Sequence, residues 1–326
     1  MADVAQHAGV SGQTVSRVVN NSPRVDPATR ARVEQAMATL GYRPHRAARA
    51  LRTGRTHTIG LVVSTLATVG NSRMLQAVAD AAASRGFALT VVTLGYSDDI
   101  SLAFERLVEQ GVDGAIVLNE ATAAARGARI PLGLRLVVVD SLPDDRFVSV
   151  QTDHAGGARS AVEHLLQLGY ETVWHVAGPR GSFAAEQREN AWRETLASAG
   201  ARVPQVLRGD WSAASGAAAG VQLAESGATA AFCANDQMAL GVLRALAEAG
   251  RRVPDEVAVV GFDDVDDAAQ YRPPLTTVRQ DFDVLGERAV AMLVHAIDGG
   301  ESDHDERVAT TLVVRQSTRV VDYDAR

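Results

Sequence analysis

Four apolar runs in this 326-residue chain end on a side chain able to hydrogen-bond a hydroxyl: Ser64 after IGLVV, Asp140 after LRLVVV, Asn235 after TAAFCA and Asp263 after VAVVGF. Runs of that length read as buried strands, and open α/β sheets bind ligands beyond the carboxyl ends of their strands. Taken singly, each residue also serves as a turn former or a helix cap. Of Asn235 and Asp236, one is expected to cap the helix DQMALGVLRALAEAG. Taken together, the four suit a ligand rich in hydroxyls. Trp211, in the loop GDWSAASG, either packs in the core or offers a flat apolar face to the C–H side of a sugar ring. Arg188 either forks across vicinal hydroxyls or forms a surface ion pair with Glu186 or Glu189.

Catalytic and metal signatures are missing from the sequence. All 32 basic residues are arginine, so neither a Walker-type phosphate loop nor a lysine Schiff base can form. There is no HExxH, CxxC, GxSxG or GxGxxG, and His154 and His164 stand ten apart, which is not a metal-ligand spacing. The acids of FDDVDDAAQY lack the glycine and glutamate positions of a calcium loop and read as a solvated loop. Cys233, the one cysteine, lies in ATAAFCAND and reads as a buried small residue. Neither a basic-then-apolar leader nor an apolar run of spanning length is present, so a cytoplasmic protein is expected, with no metal, no cofactor and no membrane contact.

Charge divides the chain before any element is assigned. Residues 1–55 carry nine arginines against Asp3, Asp26 and Glu34, a net +6, and the other 23 arginines face 36 acids, a net −13. A basic head on an acidic body suits a nucleic-acid contact joined to a domain with another task. Within the head, DVAQHA reads as a short helix, Ala8-Gly9-Val10 as a turn, and Ser11 as the cap of a second helix running to about Asn20. Asp26 caps a third helix with Pro27 in its first turn; Ala31, Val33, Ala36, Met37 and Leu40 form its apolar face, and Gly41 ends it. This is a helix-turn-helix. YRPHRAARALRTGRT then reads as a linker with a conditional helix.

From Thr58 onward IGLVVS, FALTVVTL, DGAIVL, LRLVVVD, ETVWHVAG, TAAFCAN, VAVVGFD and TLVVR alternate with helical patterns, and their near-continuous apolarity predicts parallel strands covered on both faces. Two strand-helix series meet near residues 150–155, which predicts two Rossmann-like lobes. The expected architecture is an all-α helix-turn-helix head over 1–44, a hinge over 45–56, and an α/β core over 57–326. Lobe 1 of that core spans about 57–152 and 282–309, and lobe 2 about 153–281 and 310–318.

DVAQHAGVSGQTVSRVVN resembles the N-terminal motif of the lactose-repressor (LacI/GalR) family, and GDWSAASG, ANDQMALG and GFDDVDDAAQYRPPLTTVRQDF are similar to that family's core. The likeness covers essentially the whole chain. It implies a homodimeric repressor of double-stranded operator DNA with a periplasmic-binding-protein-like core and a small-molecule sugar effector, a galactoside being the leading candidate. In the head it implies that Gln13 and Arg17 face base edges, that Thr14, Ser16 and Asn20 contact the backbone or neighbouring bases, and that Leu51 is a wedge in the minor groove. In the core it implies a pocket of Ser64, Met74, Asp140, Arg188, Trp211, Asn235, Asp263, Gln280 and Phe282. Three departures bear on specificity. Thr152 replaces a phenylalanine, Leu118 occupies a polar pocket position, and Gly12 replaces a bulkier recognition residue. The chain stops at VVDYDAR without a leucine-rich heptad tail, so a dimer is expected. The rival expectations are a co-repressor response, a solute-binding protein and, last, an enzyme.

Overall fold

The computed structural model describes residues 1–19, 22–42, 54–95, 99–300 and 305–318. Asn20, Leu51 and most of the expected hinge lie outside the described residues. The chain divides into two compact units, Met1–His57 and Thr58–Arg326.

The first unit holds helices α1 (Ala2–Ala8), α2 (Gly12–Val19) and α3 (Pro27–Thr39). Gly9 ends α1 at φ 64°, a left-handed conformation that glycine adopts without Cβ strain, and so sets the tight turn. Ser11 Oγ accepts from Thr14 N at 3.1 Å and Asp26 Oδ1 from Thr29 N at 2.9 Å, closing the starts of α2 and α3. Val4, Val15, Val18, Val33 and Ala36 meet in one small core. Ala31 and Leu40, expected on the apolar face of α3, are instead exposed. The buried stripe of α3 is thus narrower than expected, carried by Val33 and Ala36 with Met37 packed beside them.

The second unit contains two six-stranded sheets. The first is formed by β1 (Thr58–Val63), β2 (Ala88–Thr93), β3 (Gly114–Leu118), β4 (Arg135–Val139), β5 (Val148–Thr152) and β11 (Asp305–Val308), in the order β11-β5-β4-β3-β1-β2, all parallel. Helices α4 (Val69–Ser84) and α11 (Phe282–Ile297) cover one face, and α5 (Ile100–Glu109) and α6 (Ala121–Gly127) the other. The second sheet comprises β6 (Trp174–Ala177), β7 (Leu207–Arg208), β8 (Ala230–Cys233), β9 (Ala258–Asp263), β10 (Thr276–Arg279) and β12 (Thr311–Val313), in the order β12-β10-β9-β8-β6-β7. Here α7 (His154–Gln167) and α8 (Phe183–Ser198) lie on one face, and α9 (Ala213–Glu225) and α10 (Asp236–Glu248) on the other. The chain passes between the sheets three times: after β5, after β10 and after β11.

Two expectations about strands need correcting. TLVVR was expected to run parallel, but β12 pairs antiparallel with β10, as a chain returning from the other lobe can do. β5, β7, β10 and β11 were not expected at all; they are short, polar or at an edge, and β5 buries Ser149, Gln151 and Thr152 beside a lobe crossing. Each sheet reverses its strand order once, between β1 and β3 and between β6 and β8. Those reversals open the crevices in which α/β sheets hold ligands.

His175, on β6, is a buried titratable group within the second sheet. Its ring stacks between Trp192 and Phe232, and its Nδ1 lies 2.9 Å from the Phe232 carbonyl. Burial pulls its pKa down to about 4. The unfolded chain therefore takes up a proton near pH 6.5 that the folded chain refuses until about pH 4, and stability is lost as the pH falls through that window. Urea unfolding at pH 7.5 and pH 5.5 should show His175→Phe losing about 1 kcal/mol less than the wild type over that interval. An equal loss in both proteins would remove His175 as the cause.

Candidate functional site

Loops leaving the carboxyl ends of both sheets enclose about 470 Å³ of free space, part of it open to solvent. At its centre is Arg188 on α8, only 3% exposed. Its Nη1 donates to the Ala234 carbonyl and lies 3.8 Å from Asp263 Oδ1, while its Nη2 donates to His154 Nδ1 at 3.2 Å. The guanidinium carbon stands 3.7 Å from the centre of the Phe262 ring and 5.7 Å from that of Trp211. Nε is buried and has no hydrogen-bond partner among the described residues. A surface pair with Glu186 or Glu189 does not form: Arg188 is buried, and Glu189 bonds Arg193 and Arg208 instead.

His154 opens α7 and is fully buried. Arginine can only donate, so His154 Nδ1 is the acceptor and its proton sits on Nε2, 3.1 Å from Asp140 Oδ1. The approach is off-line and makes no directed hydrogen bond. Burial lowers the pKa of His154 and keeps the ring neutral. Asp140, at the end of β4, accepts from Thr152 N at 2.8 Å. One chain of contacts thus runs from lobe 1 through Asp140 and His154 to Arg188 in lobe 2.

Asp263, at the end of β9, accepts from Gln280 Nε2. Burial pushes its pKa up to about 6, against the opposing pull of Arg188 and Gln280. Asn235 caps α10 by accepting from Met238 N at 2.9 Å, and its Nδ2 donates to the Trp211 carbonyl at 3.0 Å. It is both a cap and a part of the wall. Its neighbour Asp236 is fully buried and braces the wall from behind, accepting from Val265 N at 2.9 Å and Thr277 Oγ1 at 2.6 Å. The Trp211 ring lies against Gly178, where a Cβ would stand 2.3 Å from it, so only glycine leaves it room. Met74 and Phe282 add apolar surface.

Four lining residues, Asn119, Asp140, Trp211 and Asp263, have φ of 48°, 54°, 74° and 119°. Each such backbone costs about 1 kcal/mol or more and persists only where its surroundings enforce it. Strain therefore gathers at this cavity.

The cavity brings together Met74, Asp140, Arg188, Trp211, Asn235, Asp263, Gln280 and Phe282. Ser64 is not in its lining; the chain runs on past β1, and Thr68 and Asn71 at the start of α4 reach the wall in its stead. Leu118 and Thr152 do not line it either, and Leu118 lies in the apolar core with Ile59 and Val139. His154, Thr68, Asn71, Asn119, Glu120 and Ala184 also line it and were not foreseen. Asn119 carries the same signal as Asp140, a polar residue directly after an apolar strand. His154 offered none beyond its place behind the capping Asp153. Among the described residues no cluster of His, Cys, Asp or Glu could hold a metal ion, and no helix is long and apolar enough to cross a membrane.

On the first unit, Gln13 and Arg17 are exposed one turn apart on α2, Thr14 and Ser16 are half-buried, and Val15 and Val18 fix the helix from below. A Cβ on Gly12 would meet nothing within 4 Å, so packing does not require glycine there.

Removing the buried cation leaves its carboxylate partners uncompensated. Arg188→Met is expected to lower stability at pH 8 by about 3 kcal/mol in urea unfolding. Without Arg188, the Asp263 pKa rises further above about 6, and a folded state that binds the extra proton gains stability as the pH falls. The deficit against wild type should therefore shrink between pH 8 and pH 5; a deficit independent of pH would refute the assignment.

Residues 1–45 match the family model for bacterial regulatory proteins of the lacI family, and residues 162–318 match that of a periplasmic binding protein-like domain. The lactose operon repressor of Escherichia coli (strain K12) is 38% identical over 97% of this chain and 89% of its own length. The HTH-type transcriptional regulator CelR of Thermobifida fusca is 35% identical over 96% of both. Among solved structures, the lac repressor dimer bound to operator and the anti-inducer ONPF superposes with a TM-score of 0.87 at 36% identity, covering 98% of each chain. A CelR–cellobiose complex gives 0.73 at 34% identity, covering 97% of this chain and 98% of the other. With its head, both lobes and nearly its full length accounted for by these relatives, the chain belongs to the lacI family of bacterial regulatory proteins.

Proposed function

We propose that this protein is a cytoplasmic, dimeric, sequence-specific DNA-binding repressor that leaves its operator when a neutral sugar or glycoside enters the cleft between its core lobes. The observation that carries the reading is the cleft itself. Asp140 and Asp263 offer acceptors, Arg188 offers a guanidinium, and Trp211 offers a flat apolar face. Hydroxyls on one rim and C–H groups on the face of a pyranose need that combination. No nucleophile with an adjacent base, no metal cluster and no lysine accompanies it among the described residues, so the cleft binds rather than turns over.

Contacts from both lobes make ligand affinity depend on how the lobes are oriented. A sugar therefore shifts the population of orientations, and by linkage the affinity for operator. In the head, Gln13 and Arg17 read base edges with paired hydrogen bonds, Thr14, Ser16 and Asn20 contact the backbone or neighbouring bases, and Leu51 wedges the minor groove at the operator centre. Arg24 and Arg32, both exposed, supply phosphate contacts.

A gel-shift titration with galactosides and glucosides should weaken operator binding about tenfold or more for at least one sugar, and Asp263→Asn should bind operator yet lose the response. If no sugar releases the operator, the inducer reading fails; tighter binding would establish a co-repressor instead. Gly12 leaves a base-reading position blank, so binding-site selection should return little preference at the base pair it faces. Gly12→Gln, which the open space at that position accepts, should add discrimination there of about 1 kcal/mol. Strong preference in the wild type would contradict this.

A further inference from the structure

Outside the cleft lining, lobe 2 gathers three arginines around a single acid in an open surface groove. Arg180 stands in the loop after β6, Glu189 and Arg193 lie one turn apart on α8, Arg208 ends β7, and the segment 203–206 completes the wall. The Glu189 side chain is only 11% exposed, and its carboxylate is shared. Oε1 accepts from Arg193 Nη2 at 2.9 Å, and Oε2 accepts from Arg208 Nη2. Burial opposes the charge of Glu189, yet hydrogen bonds from Arg193 and Arg208 outweigh it and hold the carboxyl below its usual range. Arg208 Nη1 donates to the Gly178 carbonyl at 3.2 Å, so this fork is fixed at two of its corners.

Three guanidiniums lining one groove repel one another, and Glu189, the one acid among the lining residues, offsets only one of them. A net charge of +2 remains, within a stretch of chain, residues 56–326, whose total is −13. The donors are also in excess. Arg180 is exposed and makes no hydrogen bond or ion pair among the described residues, and neither Arg193 Nε and Nη1 nor Arg208 Nε has a partner there. An ion-pair cluster that serves stability alone has no use for this surplus of charge and donors, whereas a bound anion satisfies both. Guanidinium forks match the oxygens of a phosphate two at a time, and a phosphate monoester near neutral pH carries almost the two negative charges that the groove lacks. A polyanion such as duplex DNA would meet the acidic surface on either side, which leaves a small dianion as the fitting ligand.

We propose that Arg180, Arg193 and Arg208, ordered around Glu189, form a site for a phosphate group, separate from the cleft between the lobes. Calorimetric titration of the full chain in chloride buffer at pH 7.5 with inorganic phosphate, glycerol 3-phosphate and a glutamate-rich peptide tests it. At least one of the two phosphates should bind with a Kd of about 1 mM or tighter, sulfate should compete with it, and the tighter of the two tells a free ion from an ester. Arg180→Gln removes an exposed side chain with no protein partner among the described residues, and Arg193→Gln removes a half-exposed one. Each should weaken phosphate binding about tenfold, the loss of one charge-assisted hydrogen bond, while far-ultraviolet circular dichroism stays that of the wild type. If neither phosphate gives heat, or both variants bind it as the wild type does, the site is refuted. Binding of the peptide alone would make the groove a protein contact and refute it equally.

Discussion

The cleft depends on one buried cation. A guanidinium removed from water is tolerated only if its charge is opposed and most of its donors are met. Arg188 is held by the Ala234 carbonyl, by His154, and by Asp263 and the face of Phe262 on β9, with Nε left unpaired among the described residues. Those partners in turn take their conformations from it. His154 is held as one neutral tautomer because Arg188 can only donate, and Asp263 keeps an acid strength near neutrality because burial and the arginine pull in opposite directions. Asp140 and Asp263 stand in the same cluster on left-handed backbones, at φ 54° and 119°, which persist only where the surroundings enforce them.

Such strain needs a stiff frame. Behind Trp211 and Asn235, helices α9 and α10 approach so closely that a Cβ on Gly216 would stand 2.2 Å from the Met238 carbonyl, and one on Gly241 2.0 Å from that of Ala213. The helix that begins just after Trp211 and the helix capped by Asn235 are thereby locked together, and the Asn235–Trp211 bond closes the same joint from the ligand side. A packed interior of this kind has few intermediate positions. A ligand touching both lobes therefore selects between arrangements rather than deforming one.

The sequence revealed the fold class and the strand ends that face the ligand, because a run of Val, Ile and Leu that stops at Asp or Asn carries both messages at once. Asp140, Asn235 and Asp263 were legible for this reason. Asn119 carries the same pattern, standing directly after DGAIVL, yet the pocket position expected at the end of that strand was Leu118, one residue earlier. His154 was illegible for a different reason: its partners lie 14 and 34 residues away and meet it only when two lobes close around the cleft. Ser64 misled because the distance the chain runs between β1 and α4 cannot be read from strand polarity. The short polar strands β5, β7 and β10 escaped because they owe their pairing to neighbouring strands rather than to apolar patterning of their own.

The uneven charge acquires a reason in this frame. DNA attracts any basic surface whatever its sequence, and the non-specific part of binding grows with each phosphate neutralised. Confining a net +6 to residues 1–55 and leaving −13 on the remainder restricts that attraction to the helix-turn-helix. A core with a net negative charge offers the duplex no such non-specific attraction. Since a ligand shifts operator binding only through its unequal affinity for two arrangements, reducing the ligand-insensitive part of the attraction makes the same coupling free energy a larger fraction of the whole. The carboxylates of Glu120, Asp140 and Asp263 lining the cleft add to the same negative charge of the core.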